Sequence, residues 1–148
     1  THICEVEIDP ETGHVDFTNY TVVDDFGVTL NPLLLEGQVH GGIGQGIGQA
    51  IMEDTVYDEN GQLISASLMD YALPRAADVP NYAFETKNVR CATNPLGVKG
   101  AGDAGAIGSC PAIMNAVVDA LHRGYGITHI DMPASPQRIW QAIQAARR

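Results

Sequence analysis

The sequence predicts an α+β fold in which helices are mixed with short sheets. Two observations lead to this prediction: apolar residues alternate along the opening segment, and they recur every third or fourth residue in later segments. The chain has 148 residues, of which 45% are hydrophobic, and this suffices for one compact domain. We therefore expect residues 1–148 to form a single α+β domain. Because the chain begins at Thr1, without an initiator Met, we also expect it to be a piece of a longer polypeptide.

The opening segment predicts a β-hairpin. Between His2 and Ile8 the apolar residues alternate with polar ones, as in a strand that buries one face. Residues 9–13, with the sequence DPETG, have the composition of a turn. Residues 14–24 are rich in β-branched and aromatic side chains and form the second predicted strand.

A glycine-rich helix is predicted from about Leu33 to Glu53. Its apolar stripe consists of residues at four-residue spacing, namely Val39, Ile43, Ile47 and Ile51. Six glycines lie inside this segment, and five of them cluster at positions 41, 42, 44, 46 and 48. Each costs up to about 1 kcal/mol of helix propensity relative to Ala. Close approach of a second backbone or of a ligand would explain them, and the segment alone leaves both explanations open.

The remaining elements are predicted from turn and capping residues. In chain order they are a hairpin tip at residues 57–62, a strand from Tyr82 to Val89, a helix capped by Ser109 with Pro111 in its first turn, a strand from Ile127 to Ile130, and a last helix that begins at Ser135-Pro136.

Charge and cysteine content exclude several function classes. Eight Lys and Arg against 18 Asp and Glu give a net charge of -10, which repels phosphate backbones and anionic lipids. Nucleic-acid binding is therefore not expected. Membrane insertion is not expected either, because no apolar run reaches the roughly 20 residues of a membrane span. The three cysteines are far apart and the histidines lack metal-ligand spacing, so no protein-bound metal is predicted. A reducing cytoplasm is the expected location.

A second glycine cluster contains a carboxylate. Residues 100–105 match GxGxxG, which in a dinucleotide-binding fold follows a strand and opens a helix. Asn94-Pro95 disfavours a buried strand before this loop, so nicotinamide binding is only an alternative. Asp103 lies among these glycines, where it is either a functional carboxylate or a residue that caps the turn. In the first cluster, the side-chain amide of Gln45 offers both a donor and an acceptor to a polar ligand.

Three segments in order carry a family resemblance. They are GQVHGGIGQGIGQA (37–50), DYALPR (70–75) and GVKGAGDAG (97–105), joined by CEVEIDPETG (4–13) and the stretch from Asp24 to Pro32. Together they resemble the C-terminal part of the molybdenum-binding large subunit of the molybdenum hydroxylases, the family of xanthine dehydrogenase, aldehyde oxidase and aerobic carbon monoxide dehydrogenase. The resemblance covers nearly the whole chain, whereas the subunits of that family are several times longer.

The resemblance implies a molybdenum-dependent oxidoreductase. Its substrate would be an aldehyde, a purine, another N-heterocycle or carbon monoxide. Its cofactor would be molybdopterin, with the cytosine dinucleotide as one form, and iron–sulfur clusters and FAD would lie on partner subunits or domains. The partners would be the remainder of the large subunit and the iron–sulfur and flavin subunits. A non-catalytic structural or assembly module of the same fold is the alternative.

The resemblance also assigns site residues. Gln45 matches the glutamine that hydrogen-bonds the pterin, with Gly44, Gly46 and Gly102 as further cofactor contacts. Asp103 falls where the family has its catalytic glutamate, so it is the expected base. Asp is one methylene shorter than Glu, and a shift of the glycine loop or a bridging water would have to restore its reach. We expect both glycine clusters to line one cleft, with residues 41–48 on the pterin side and residues 100–105 on the metal side.

Overall fold

The computed structural model describes residues 1–147 and confirms the α+β fold class. The strands and α-helices are β1 (His2–Ile8), β2 (Val15–Asp24), α1 (Pro32–Ile47), β3 (Tyr82–Thr86), α2 (Ala104–Tyr125) and α3 (Pro136–Ala146). A π-helical turn, Gly48–Met52, continues α1, and a 3-10 turn, Ala76–Asp78, precedes β3.

The three strands form one sheet in the order β1-β2-β3. β1 and β2 are antiparallel, which confirms the predicted hairpin. β2 and β3 are parallel, with Tyr20 opposite Tyr82. A parallel pair requires a long crossover connection, and α1 with the residues that follow it provides this connection.

The core lies between the sheet and the helices. All four residues of the predicted α1 stripe are buried, as are three residues of α2, Ile113, Val117 and Leu121. By length and composition α2 would be able to cross a membrane, although the sequence analysis expected no such run. Core helices of soluble proteins pass the same test, and α2 packs here against α1 and β1.

Glycines bring the backbones of α1 and α2 together. A Cβ atom on Gly42 would lie 2.8 Å from the amide nitrogen of Ala106. A Cβ atom on Gly105 would overlap the carbonyl oxygen of Val39, and one on Gly46 would overlap the side chain of Ser109. Glycine is therefore required at these three positions because another chain segment occupies the space of a side chain.

The structure corrects the predicted start of α2. The helix begins at Ala104, with Asp103 in the N-cap position, whereas the sequence analysis placed the cap at Ser109. Ser109 and Pro111 lie inside the helix, and Ser109 is fully buried. Of the small residues that suggested a loop before Ser109, Gly105 packs against the backbone of α1 and Gly108 against the side chain of His2.

Three other elements are shorter than predicted or do not form. The strand predicted from Tyr82 to Val89 ends at Thr86. The hairpin tip at residues 57–62 is closed by a single bridge between Tyr57 and Leu63. The strand predicted at residues 127–130 does not form, and these residues belong to an irregular connection between α2 and α3. The last helix begins as predicted, with the Ser135 side chain accepting a hydrogen bond from the amide of Arg138.

Candidate cofactor site

A cavity of about 580 Å³ lies beside α1. One wall is formed by α1 itself, and the opposite wall by the segment that leads into β3. The lining residues are His40, Gly41, Gly44, Gln45, Glu53, Leu73, Pro74, Arg75, Ala76, Val79 and Tyr82. Two of the predicted site residues, Gly44 and Gln45, thus lie together in the lining of a cavity large enough for a small-molecule ligand.

The cavity side of α1 carries glycines that the described chain does not require. A Cβ atom on Gly41 or on Gly44 would have no neighbouring atom of residues 1–147 within 4 Å. Neither residue has a positive φ, so the backbone conformation does not require glycine either. These two glycines instead leave the helix backbone open toward the cavity, so that a bound group could approach it closely.

Two polar atoms of the cavity residues are buried without a hydrogen bond. They are His40 Nε2 and the Tyr82 hydroxyl oxygen, and neither has a partner in the described part of the chain. The two rings lie 4.9 Å apart between centroids. Burial raises the pKa of Tyr82 to about 12, so its hydroxyl is protonated at neutral pH. Buried polar groups are nearly always hydrogen-bonded, so each of these two atoms lacks a partner that it would be expected to have.

The opposite wall of the cavity, the segment that leads into β3, contacts residues that directly follow α1. The Tyr71 hydroxyl donates a hydrogen bond to the Glu53 carboxylate, and this contact raises the pKa of Tyr71. A Cβ atom on Gly48 would lie 2.9 Å from Pro74 Cγ, so the DYALPR segment packs directly on the helix end. The two walls of the cavity are therefore held together by contacts within this chain.

Asp103 lies at the start of α2, on an exposed loop. Its side chain is exposed and makes no capping hydrogen bond. Gly100 and Gly102 are exposed as well, and a Cβ atom on either would meet nothing in residues 1–147. The side-chain positions around Asp103 are thus open in the described chain.

The loop that carries Asp103 is anchored at both ends. On one side Lys99 donates a hydrogen bond from Nζ to Asp25, and the Lys99 amide donates to the Phe26 carbonyl at 3.0 Å. The Lys99 ammonium, together with backbone amides, lowers the pKa of Asp25 to about 2. On the other side Gly105 packs against α1. Residues 100–103 are the free span between two fixed points.

The structure brings the two glycine clusters into contact without placing both in one cavity. They meet where Gly42 packs on Gly105, which is a helix–helix contact. The lining of the Gln45 cavity includes none of residues 100–105, whereas Gly100 lines a separate cavity of about 480 Å³. Gly46 faces Ser109, so its place in a cofactor site stays a prediction, as does that of Gly102 and Asp103.

His40 and Tyr82 line the cavity but were not among the predicted site residues. The histidine spacing was used only to argue against a metal site, although His40 lies inside the glycine-rich segment. Tyr82 was taken only as a strand residue, and no sequence signal brings it to Gln45, because the parallel pairing of β3 with β2 does so. The structure also disfavours the nicotinamide alternative, because no strand of the described chain leads into Gly100 as a dinucleotide fold requires.

Comparison with known sequences identifies the family. The family described as molybdopterin cofactor-binding domain matches residues 1–80, which include Gln45 and end before Asp103. The carbon monoxide dehydrogenase large chain of Hydrogenophaga pseudoflava is 35% identical over 143 residues, which are 97% of this chain and 18% of that protein. The nicotine 6-hydroxylase large subunit of Paenarthrobacter nicotinovorans is 39% identical over 146 residues, which are 97% of this chain and 17% of that protein.

Solved structures agree with the sequence relatives. Carbon monoxide dehydrogenase from Oligotropha carboxidovorans superposes with a TM-score of 0.92 at 33% identity, covering 97% of this chain and 18% of the matched chain. Quinoline 2-oxidoreductase from Pseudomonas putida 86 superposes with a TM-score of 0.89 at 38% identity, covering 94% and 18%. This chain thus spans less than a fifth of the length of these relatives. On the family match and on these likenesses, the chain belongs to the molybdopterin cofactor-binding domain family.

Proposed function

We propose that this chain is the C-terminal, cofactor-binding portion of the large subunit of a molybdenum-dependent oxidoreductase, and that residues 1–148 form one domain of it. The observation that carries the proposal is the cavity in which Gln45 lies beside Gly41 and Gly44, two glycines that packing within residues 1–147 does not require. Family membership and the relatives' coverage support it. Because the chain is about 18% as long as the first relative, we expect activity only in the longer assembly.

The cavity has the chemistry that a pterin requires. A pterin is flat and carries hydrogen-bond donors and acceptors along its edge, so it fits a site with polar side chains and an open backbone. Gln45 supplies an amide with both kinds of group. Gly44 leaves room for close approach, and the buried atoms His40 Nε2 and Tyr82 hydroxyl oxygen have no hydrogen-bond partner among residues 1–147. When bound, the molybdenum cofactor supplies the redox chemistry, and the protein supplies binding and orientation.

We assign Gln45 the role of holding the pterin edge, with Gly44 beside it. Gly46 would contribute through its backbone, since its side-chain position faces Ser109. Gly102, on the loop that carries Asp103, would contribute through its own open position. The Gln45 amide can accept a hydrogen bond through its oxygen and donate one through its nitrogen, which suits the adjacent donor and acceptor of a pterin edge.

We assign Asp103 the role of the base that accepts a proton from the oxygen that enters the product. Such a base must come within about 2.6–3.2 Å of the proton's heavy atom, directly or through one water. Asp103 is exposed on a span in which the side-chain positions of Gly100 and Gly102 are open, and we propose that a shift of this span gives the carboxylate its reach. Its anchors at Lys99 and Gly105 limit that shift to residues 100–103.

The wider assignments follow the relatives. Named relatives act on carbon monoxide and nicotine, and a structural relative on quinoline, so we propose a small molecule such as an N-heterocycle, an aldehyde, a purine or carbon monoxide as substrate. We propose the remainder of the large subunit and iron–sulfur and flavin subunits as partners. A molybdopterin-type molybdenum cofactor, of which the cytosine dinucleotide is one form, and a cytoplasmic location complete the proposal.

The cofactor assignment is tested with two glutamines of the same helix. Both side chains are exposed on α1, but Gln45 lines the cavity and Gln38 lies outside the lining. In the full-length subunit, Gln45→Ala is expected to lower the pterin and molybdenum content per protein, and Gln38→Ala to leave both unchanged. Equal content in the wild type and in both variants would contradict the proposal.

The role of Asp103 is tested in the assembled enzyme. Asp103→Asn removes the carboxylate and is expected to lower turnover by roughly 10²–10⁴-fold at unchanged cofactor content. Asp103→Glu restores the family's side chain and is expected to preserve or raise turnover. A protein that carries the cofactor but turns over equally slowly in all three forms would favour the alternative, a non-catalytic module that retains the fold.

A further inference from the structure

We propose that the Tyr82 hydroxyl and His40 Nε2 form a second hydrogen-bonding site in the Gln45 cavity and bind a polar edge of the pterin cofactor. This inference rests on the proposed function and names two further residues of the same site. It starts from the two buried atoms that have no hydrogen-bond partner among residues 1–147.

Two neighbouring tyrosines show that the missing partner is specific to Tyr82. Tyr20 and Tyr82 face each other across β2 and β3, with ring centroids 5.7 Å apart in an edge-on arrangement. The Tyr20 hydroxyl lies 2.8 Å from His2 Nδ1, and His2 Nε2 lies 3.3 Å from Asp24. Tyr20 is therefore part of a complete network, whereas the equivalent group of Tyr82 is left without one.

Among residues 1–147, no group lies within hydrogen-bonding distance of His40 Nε2 either. The Glu36 carboxylate lies 3.9 Å from His40 Nε2, which is beyond hydrogen-bonding distance. The His40 ring packs instead against the rings of Tyr82 and Phe84, at centroid distances of 4.9 Å and 6.2 Å. His40 and Tyr82 thus support one another through ring contacts, and their polar atoms remain unused.

A hydroxyl in this position is unfavourable unless something binds it. A buried polar group without a partner loses its hydration and gains nothing in exchange. Phenylalanine would keep the ring contacts with Tyr20 and His40 without that loss, so packing alone does not explain tyrosine here. Both residues line the cavity that contains Gln45 and the open glycines. A group bound there with donors and acceptors at its edge would be the missing partner.

The test compares Tyr82→Phe with the matched variant Tyr20→Phe in the full-length subunit assembled with its partners. The readouts are pterin content, measured by fluorescence after oxidative release and repeated dialysis, and the unfolding temperature of the apoprotein. Tyr82→Phe is expected to weaken pterin retention by about three- to tenfold, the value of one neutral hydrogen bond, without lowering the unfolding temperature. Tyr20→Phe is expected to do the reverse, because it breaks the bond to His2. His40→Phe removes Nε2 and is likewise expected to weaken pterin retention.

Each result decides the inference. Wild-type pterin retention in both Tyr82→Phe and His40→Phe, together with loss in Gln45→Ala, would overturn the inference and leave the proposed function intact. Wild-type retention in Gln45→Ala as well would contradict the proposed function itself. If Tyr82→Phe lowers the unfolding temperature as much as Tyr20→Phe does, its hydroxyl has a structural partner and the inference is wrong.

Discussion

The two faces of α1 carry glycine for different reasons. On the face toward α2, Gly42 and Gly46 leave space that Ala106 and Ser109 occupy. On the face toward the cavity, Gly41 and Gly44 leave space that no atom of residues 1–147 occupies. Both pairs of glycines lower the helix propensity of α1. Only for Gly42 and Gly46 do contacts within the described chain offset that loss.

This difference separates glycines that the packing of the fold requires from glycines that a binding site would require. A glycine beside a close backbone contact is explained by packing, and its substitution should damage the fold. A glycine beside open space is not explained by the fold, and its substitution should first affect whatever binds there. The same division recurs in the second cluster, where Gly105 is packed and Gly102 is open.

The largest effect is expected at the packed positions. Gly105→Ala places a Cβ atom against the Val39 carbonyl oxygen, which belongs to backbone and cannot rotate away. Overpacking of this kind costs about 1–3 kcal/mol, so the free energy of unfolding should fall by that amount. Denaturant unfolding of the chain measures it, with Gly102→Ala as the matched control. Equal stability of both variants would show that the helix contact is looser than described.

The open positions of α1 are expected to give a smaller effect of opposite sign. Gly41→Ala meets no atom within 4 Å in residues 1–147 and restores helix propensity, so the chain should gain about 0.4–1 kcal/mol. Its neighbour Gly42→Ala should lose stability, because its Cβ would lie 2.9 Å from Gly105 Cα. Denaturant unfolding of these two adjacent variants measures both signs. A loss at position 41 equal to that at position 42 would remove the distinction between the faces.

The predictability of the fold follows the same division. Local signals were sufficient for the hairpin, for the buried stripe of α1 and for the cap at Ser135, because each depends on neighbours in sequence. The start of α2 was wrong because Gly105 and Ser109 are small for a tertiary reason, the nearby backbone of α1. The parallel pairing of β3 with β2 joins residues about 60 positions apart, as Tyr20 and Tyr82 illustrate, and no local pattern specifies it.

The candidate site was predictable only in part. Gln45 and its glycines stood out from the sequence itself, their roles came from the family resemblance, and the structure adds a cavity beside them. His40 and Tyr82 could be recognised only after folding, because the signal they carry is a missing hydrogen bond. The shared cleft for Gln45 and Asp103 remains a prediction, since the cavity at Gln45 includes none of residues 100–105.

The smallest effect concerns the anchor of the Asp103 loop. Lys99 lowers the pKa of Asp25 to about 2, below the value near 3.9 of an unfolded Asp. The resulting stabilisation is complete above about pH 4 and is lost as the pH falls toward 2. Asp25→Asn should therefore be less stable than the wild type at neutral pH, with a difference that shrinks between pH 4 and pH 2. Unfolding at a series of pH values measures it, with the exposed Glu5→Gln as control, and a constant difference would contradict the ion pair.

The central claim, that the open face of α1 receives the cofactor, is tested most directly by filling that face. Gly44→Leu projects a side chain into the cavity, whereas Gly37→Leu adds the same side chain on the same helix, in open space and outside the lining. Pterin and molybdenum content of the purified full-length subunit is the measurement. The account predicts that Gly44→Leu loses most of both while Gly37→Leu retains them. Full cofactor content in Gly44→Leu would contradict it.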